Sequence, residues 1–185
     1  MNFNKHYDLE GKHAFLSASQ HAWVNYDEGK LIRVYSNLLA AARGTQLHAF
    51  ACEAIKLGVR LPDNKQTINM YVNDAIGYKM TPELVLKYSN NAFGTADALS
   101  FKKDLLRIHD LKTGRSKVSM VQLEIYAALF CLEYDVKPND IQMELRIYQS
   151  NEVLVHNPDP DDIFHIEDKI ILFDQRIEEL KQEEE

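Results

Sequence analysis

Asp97 stands in the run Phe-Gly-Thr-Ala-Asp-Ala, and thirteen residues later Asp110 and Lys112 form an acid-x-Lys triplet within Ile-His-Asp-Leu-Lys-Thr-Gly. In an extended strand successive side chains alternate between faces, so Asp110 and Lys112 project to one side and Leu111 to the other. A carboxylate and an ammonium then meet at one point, and a second strand ending near Asp97 would bring another carboxylate to it. Two hard oxygen ligands beside a lysine suit Mg²⁺ and a phosphate better than they suit a core. The chemistry this predicts is metal-dependent phosphodiester cleavage. The competing account is an ordinary ion pair at a solvated strand end, and an acid-x-Lys triplet alone is too common to decide between them.

Other residues could join. Glu83 opens an earlier β-prone run and offers a third acid. His48, in Gly-Thr-Gln-Leu-His, sits one turn into a helical segment; a single histidine on an apolar helix is more often a core residue with a satisfied hydrogen bond than a ligand. Gln122 and Tyr126 are four apart and share a helix face. His109 should point away from Asp110 by strand alternation. His156 and His165 lie near Asp159, Asp161 and Asp162, but proline-flanked acids before a helix usually serve as turn and capping residues.

The segments that must hold these groups follow from periodicity and punctuation. Residues up to about 16 read as irregular, and Ser17 or Ser19 as a helix N-cap. Residues 31–61 read as two helices broken at Gly44, with Thr45 capping the second. A short helix over 63–77 should end at Gly77. Three β-prone runs, 82–88, 93–101 and 105–111, with turns at Asn90-Asn91 and 102–104, predict an antiparallel meander. A helix over 119–134 precedes an alternating strand at 141–148 and a partner strand at 152–156. The last helix starts at Asp161 or Asp162, turns Ile163, Ile166, Ile170 and Phe173 inward, and runs to about Leu180 before fraying into glutamates. That order predicts an α/β (α+β) fold with one mixed central sheet flanked by helices.

A chain of 185 residues, 45 % hydrophobic, is long enough for one well-buried domain over 1–185. Within it the divisions are a helical part at about 17–77, a sheet and helix at about 82–156, and a helix with an acidic tail at about 160–185. No run spans a bilayer and the start lacks the apolar core of a signal peptide, so a soluble cytoplasmic protein without a membrane partner is expected. The two cysteines, Cys52 and Cys131, should be reduced and buried; they are too few for an iron–sulfur cluster or a Cys-rich zinc site. Any metal must be held by oxygen and nitrogen. The net charge of −7 is concentrated at one end: from Asp159 onward there are eleven acids against three bases, and before it seventeen acids against eighteen bases. Between 102 and 117 stand Lys102, Lys103, Arg107, Lys112, Arg115 and Lys117 against Asp104 and Asp110, a patch suited to phosphates. For Lys102 and Lys103 a polar hairpin turn is an equal account.

Taken in order, Gly-Thr-x-x-His, Gly-Thr-Ala-Asp-Ala, Asp-Leu-Lys-Thr-Gly and Gln-x-x-x-Tyr resemble the motifs of the RecB-like branch of the PD-(D/E)XK nuclease superfamily, over residues 16–148; Leu-Ser-Ala-Ser at 16–19 resembles its N-terminal opening. The resemblance implies a restriction-endonuclease-like core in which Asp97 and Asp110 coordinate Mg²⁺ or Mn²⁺, the Leu111 carbonyl adds a ligand and His48 completes the site. It implies that Lys112 orients or deprotonates the attacking water and stabilises charge on the phosphate. Gln122 and Tyr126 would hold the site in shape or touch the DNA backbone, Glu83 would be an additional acid, and Lys102, Lys103, Arg115 and Lys117 would meet DNA. The Pro-Asp that names the superfamily is absent, Ala96 preceding Asp97, and so are the four-cysteine cluster of some relatives and any helicase segment. The implied activity is that of a Mg²⁺-dependent deoxyribonuclease, an exonuclease rather than an endonuclease, in phage or mobile-element DNA recombination, repair or processing. Its setting would be a bacterial cell or phage-infected host, with DNA and a single-strand-binding or annealing protein as partners and a homo-oligomer as one assembly. The second reading is a nuclease fold that has lost turnover and only binds DNA or protein. The third is an interaction protein whose acidic last helix mimics DNA or docks on a partner.

Overall fold

The computed structural model describes residues 3–183, which form two compact units, one up to Ala42 and one from Arg43 onward. In the first, short 3₁₀ turns at Tyr7–Leu9 and His21–Asn25 precede the start of a long helix. None of its described residues is buried. Ser17 caps a turn, not a helix: its Oγ accepts from the Gln20 N–H at 3.3 Å and its carbonyl from the Trp23 indole at 2.8 Å. The helix begins after Asp27, whose Oδ1 accepts from the Lys30 N–H at 2.6 Å and satisfies one of the donors that a helix start leaves open.

Helix α1, Glu28–Leu57, is continuous through Gly44, so the predicted break is absent and Thr45 lies mid-helix instead of capping one. One glycine costs a helix only about 1 kcal/mol relative to alanine. Gly44 has a packing reason to be there: a Cβ would stand 2.8 Å from the Thr113 Oγ1, in the loop after the acid-x-Lys triplet. Helix α2, Thr67–Gly77, ends at Gly77 as expected. The left-handed residue that follows the end is Lys79, at φ 52°, whose N–H reaches the Ile76 carbonyl at 3.0 Å.

The second unit is built on one mixed sheet flanked by helices. Strands β1 (Thr81–Lys87), β2 (Phe93–Lys102) and β3 (Leu105–Leu111) form the antiparallel meander, helix α3 (Val121–Tyr134) crosses over, and β4 (Gln142–Gln149) returns parallel to β3, with β5 (Glu152–His156) antiparallel beside it. The strand order is β1-β2-β3-β4-β5. On one face Leu106, Ile108, Leu145 and Ile147 pack against Leu123, Ala127 and Cys131 of α3 and Ile163 of helix α4 (Pro160–Glu183). On the other, Ala98, Leu111 and Tyr148 pack against Ala51, Ala54 and Ile55 of α1 and Tyr71, Val72 and Ala75 of α2. Losing any of the large buried aliphatics would cost about 2–5 kcal/mol.

Helix α4 departs from its reading at Phe173, which is 59 % exposed. At 1.5 Å per residue its 24 residues far outrun the 14 of α3, so only Ile163, Ile166 and Ile170 find the core. Beyond them Asp174 and Glu178 take hydrogen bonds from Ser89 and Asn91 of the β1–β2 turn. The helix continues past Leu180 to Glu183, and Glu184 and Glu185, where fraying is expected, lie outside the described residues. Cys52 and Cys131 are free and buried, the latter thiol pushed up to about 12 by burial. Among the described residues no helix is long and apolar enough to cross a membrane.

Candidate active site

Three carboxylates occupy one row across the sheet, where its pairing fails. Between β1 and β2 the register passes from Pro82↔Ala98 to Leu84↔Ala96, leaving Glu83 and Asp97 opposite each other but unpaired. Between β2 and β3 it stops at Ala98↔His109, one step short of Asp97 and Asp110. The ladder bond that would follow is replaced by a side chain: the Leu111 N–H donates to Asp97 Oδ2 at 2.8 Å. Glu83 has a left-handed backbone, φ 51°, inside a strand, a conformation that costs a non-glycine residue about 1–2 kcal/mol. Such strain is commonly kept where it aims a functional side chain.

The row meets a histidine from α1. His48 Nδ1 lies 3.4 Å from Asp97 Oδ2, and ligand atoms of His48, Glu83 and Asp97 all fall within 4.8 Å of one another. The hydrogen bond to Asp97 outweighs burial and raises the His48 pKa above its ordinary 6.5, with the charges of Asp97, Asp110 and Glu83 adding to the effect. Asp110 is 3 % exposed. Burial first, then the Asp97 charge, lift its pKa above the usual carboxylate value, against the pull of Lys112 and His48.

Asp110 and Lys112 share a face, as strand alternation requires. The ammonium lies 3.0 Å from each Asp110 oxygen but is aligned to hydrogen-bond only Oδ1; Oδ2 is buried without a hydrogen-bond partner among the described residues. Lys112 also donates to Gln122 Oε1 at 2.8 Å, and Gln122 Nε2 to the Tyr126 hydroxyl at 3.2 Å. A line Asp110–Lys112–Gln122–Tyr126 thus runs from the sheet onto α3. The Tyr126 ring lies against Gly94, where a Cβ would come within 2.9 Å of Cε1. The glycines of Gly-Thr-x-x-His and Gly-Thr-Ala-Asp therefore admit the threonine and the tyrosine of the later motifs.

His109 turns to the opposite face. Its Nδ1 lies 3.2 Å from the Tyr148 hydroxyl, which itself donates to Asp74 at 2.7 Å, so the ring proton belongs on Nδ1 and the bare acceptor Nε2 is buried without a hydrogen-bond partner among the described residues. Burial, then Arg146 and Arg107, push this histidine down to about 3 and keep it neutral. His156 pairs with Glu124 at 3.2 Å, away from Asp159, Asp161 and Asp162. Of the basic residues, Arg115 and Lys117 lie in the loop after Lys112 and line clefts beside it. Lys102 and Lys103 sit at the far end of the hairpin. Five residues of strand separate Asp97 from Lys102, roughly 16 Å at 3.3 Å each. Lys102 donates to the Tyr78 and Lys79 carbonyls at 2.8 and 3.2 Å, and Lys103 makes the two-residue turn with Asp104, φ 50° and 58°.

The donors suit a hard divalent ion. Two ligands at a right angle, each about 2.1 Å from an octahedral ion, lie about 3 Å apart, near the His48–Asp97 spacing, and the buried Asp110 Oδ2, which takes no hydrogen bond among the described residues although Lys112 lies 3.0 Å away, is an atom a cation could also engage. His48, Glu83 and Asp97 are therefore a triad able to hold a divalent metal, with Asp110 beside it. The position of Glu83 opposite Asp97 depends on strand register, though the preceding Pro82 marks an interrupted strand. Compared with known protein families, with curated proteins and with solved structures, the chain matches none.

Proposed function

We propose that the chain is a metal-dependent DNA nuclease with a restriction-endonuclease-like core. The observation that carries the reading is the convergence, at one break in the sheet, of the His48–Glu83–Asp97 triad and the Asp110–Lys112 pair. A divalent ion bound there, Mg²⁺ or Mn²⁺, would supply charge neutralisation on the phosphate and a more acidic water. Asp97, Glu83 and His48 would hold it, with Asp110 beside them. Lys112, fixed between Asp110 and Gln122, directs its ammonium at the attacking water and at the charge developing on the phosphate. Gln122 and Tyr126 are positioning residues, and Arg115 and Lys117 supply positive charge for the strand on approach. The motif resemblance favours an exonuclease acting in phage or mobile-element DNA processing.

The test is incubation of purified protein with linear and with covalently closed DNA, in Mg²⁺ or Mn²⁺ and then in EDTA. The expected result is cleavage that needs the metal, prefers linear DNA and is lost in Lys112→Ala and Asp97→Asn proteins that remain folded. Clean protein that binds DNA and never cuts it with any divalent metal would establish the binding-only reading instead.

A further inference from the structure

Beside Lys112 lies a cleft whose apolar part the reaction proposed above does not use. Its floor is apolar, formed by Leu47 of α1, Ile68 of α2 and Leu111, and its rim carries Lys112 and Arg115 together with Thr67 and Asn151. Its walls are braced. The β4–β5 turn, Ser150-Asn151, has left-handed φ at both residues, 51° and 64°, as a two-residue hairpin requires. Asn151 clamps this turn to the start of α2, accepting from the Thr67 N–H at 3.1 Å and donating its own N–H to Thr67 Oγ1 at 2.8 Å. On the other side Gln149 Nε2 donates to the carbonyls of Gly114 and Ser116 at 2.7 and 3.0 Å and holds the loop that bears Arg115.

An apolar floor, amide and hydroxyl groups at its edge and two cations on its rim match the parts of a nucleoside monophosphate. The base needs the floor, its exocyclic groups need hydrogen-bonding partners, and the phosphate needs the cations. A bare phosphate would leave the floor unused, and a purely apolar ligand would leave the exposed Arg115 on the rim unanswered. We infer that the cleft is a nucleotide subsite, seating the nucleotide that adjoins the scissile phosphate, with Lys112 as the residue common to both. The inference rests on the nuclease reading for what the subsite serves, but its binding chemistry can be read without turnover.

The experiment titrates the full chain, in EDTA, with thymidine 5′-monophosphate, with thymidine and with inorganic phosphate, following backbone amide chemical shifts. Thymidine monophosphate should bind at least about tenfold more tightly than either part, a difference of about 1.4 kcal/mol, and shift the amides of Thr67, Arg115, Ser150 and Asn151. Arg115→Glu on the exposed rim and Ile68→Trp across the floor should each weaken it about tenfold, with thermal melting showing that both stay folded. The inference is overturned if phosphate binds as well as the nucleotide, if the shifts gather around His48 and Asp97 instead, or if both folded variants keep wild-type affinity. A chain that binds the nucleotide this way yet never cuts DNA sinks the nuclease reading and leaves the subsite. A chain that cuts DNA but shows no such binding does the reverse.

Discussion

At the scale of single residues, Asp110 sets the terms for the site. Its folded pKa is raised, so its contribution to stability is fully present below the unfolded value of about 3.8 and is lost as pH rises through the folded value. His48, also raised, from 6.5, has the same sign: what it contributes below that value disappears as pH climbs. His109, pushed down to about 3, has the opposite sign below its ordinary 6.5, so it is between about pH 6.5 and pH 8 that metal-free protein should melt at progressively lower temperature. Asp110→Asn keeps the shape, leaves Lys112 its bond to Gln122 and removes the buried charge. In EDTA at pH 8 it should melt higher than wild type, by about 2–4 °C for each kcal/mol gained, while Mg²⁺ raises the melting temperature of wild type and much less that of the variant. Melting curves at pH 6.5 and pH 8 with and without metal check this, and an Asp110→Asn protein that melts lower in EDTA would refute it. The acid-x-Lys pair was legible because strand alternation alone puts both side chains on one face. The place of Glu83 opposite Asp97 was not legible, since that partner is named by the register and its backbone is one that no residue-type rule assigns to a glutamate.

At the scale of elements, the motifs turn out to be contacts between secondary structures. Gly94 on β2 leaves room for Tyr126 on α3, and Tyr126 holds Gln122, which holds Lys112. Gly94→Ala should push the ring away, cost about 1–3 kcal/mol of stability and lower cleavage through Lys112. Adding Tyr126→Leu should restore most of the stability but not the rate. A double-mutant cycle by denaturation, with a coupling energy of about 1 kcal/mol or more, is the check; additive effects would mean that the two residues do not meet. The strands of the meander and the crossover helix were readable from alternation, turn residues and apolar spacing. Gly44 misled because a glycine that marks a joint and one that admits a neighbouring threonine look the same in one dimension. Phe173 misled because helical periodicity says which face is apolar, not how far the layer beneath extends.

At the scale of the whole molecule, the two units differ in what holds them. Described residues up to Ala42 include none that is buried, whereas Ala51, Ala54 and Ile55 of the same helix α1 are 1, 6 and 7 % exposed. Backbone hydrogen bonds open with a free energy set largely by the packing around them. Hydrogen exchange measured by mass spectrometry should therefore show the amides of 28–42 exchanging at least tenfold faster than those of 46–57, although both stretches belong to one helix; uniform protection along α1 would contradict this. The charge asymmetry was visible in the sequence, and so was the mixed sheet. The row of acids was not, because it exists only once three strands are set in register, and sequence spacing leaves that register open.

The kink at Glu83 also bears on how this protein behaves among its neighbours. Strand β1 is an edge of the sheet, and a long, flat edge offers its free N–H and C=O groups to any other strand that arrives. Pro82 has no N–H to offer, and Glu83 beside it, left-handed at φ 51°, interrupts the regular extended backbone with a charge attached. The same interruption that brings a carboxylate to the row of acids keeps the border of the sheet from becoming a template, so a chain straightened there would trade a ligand for a tendency to stick to its own copies.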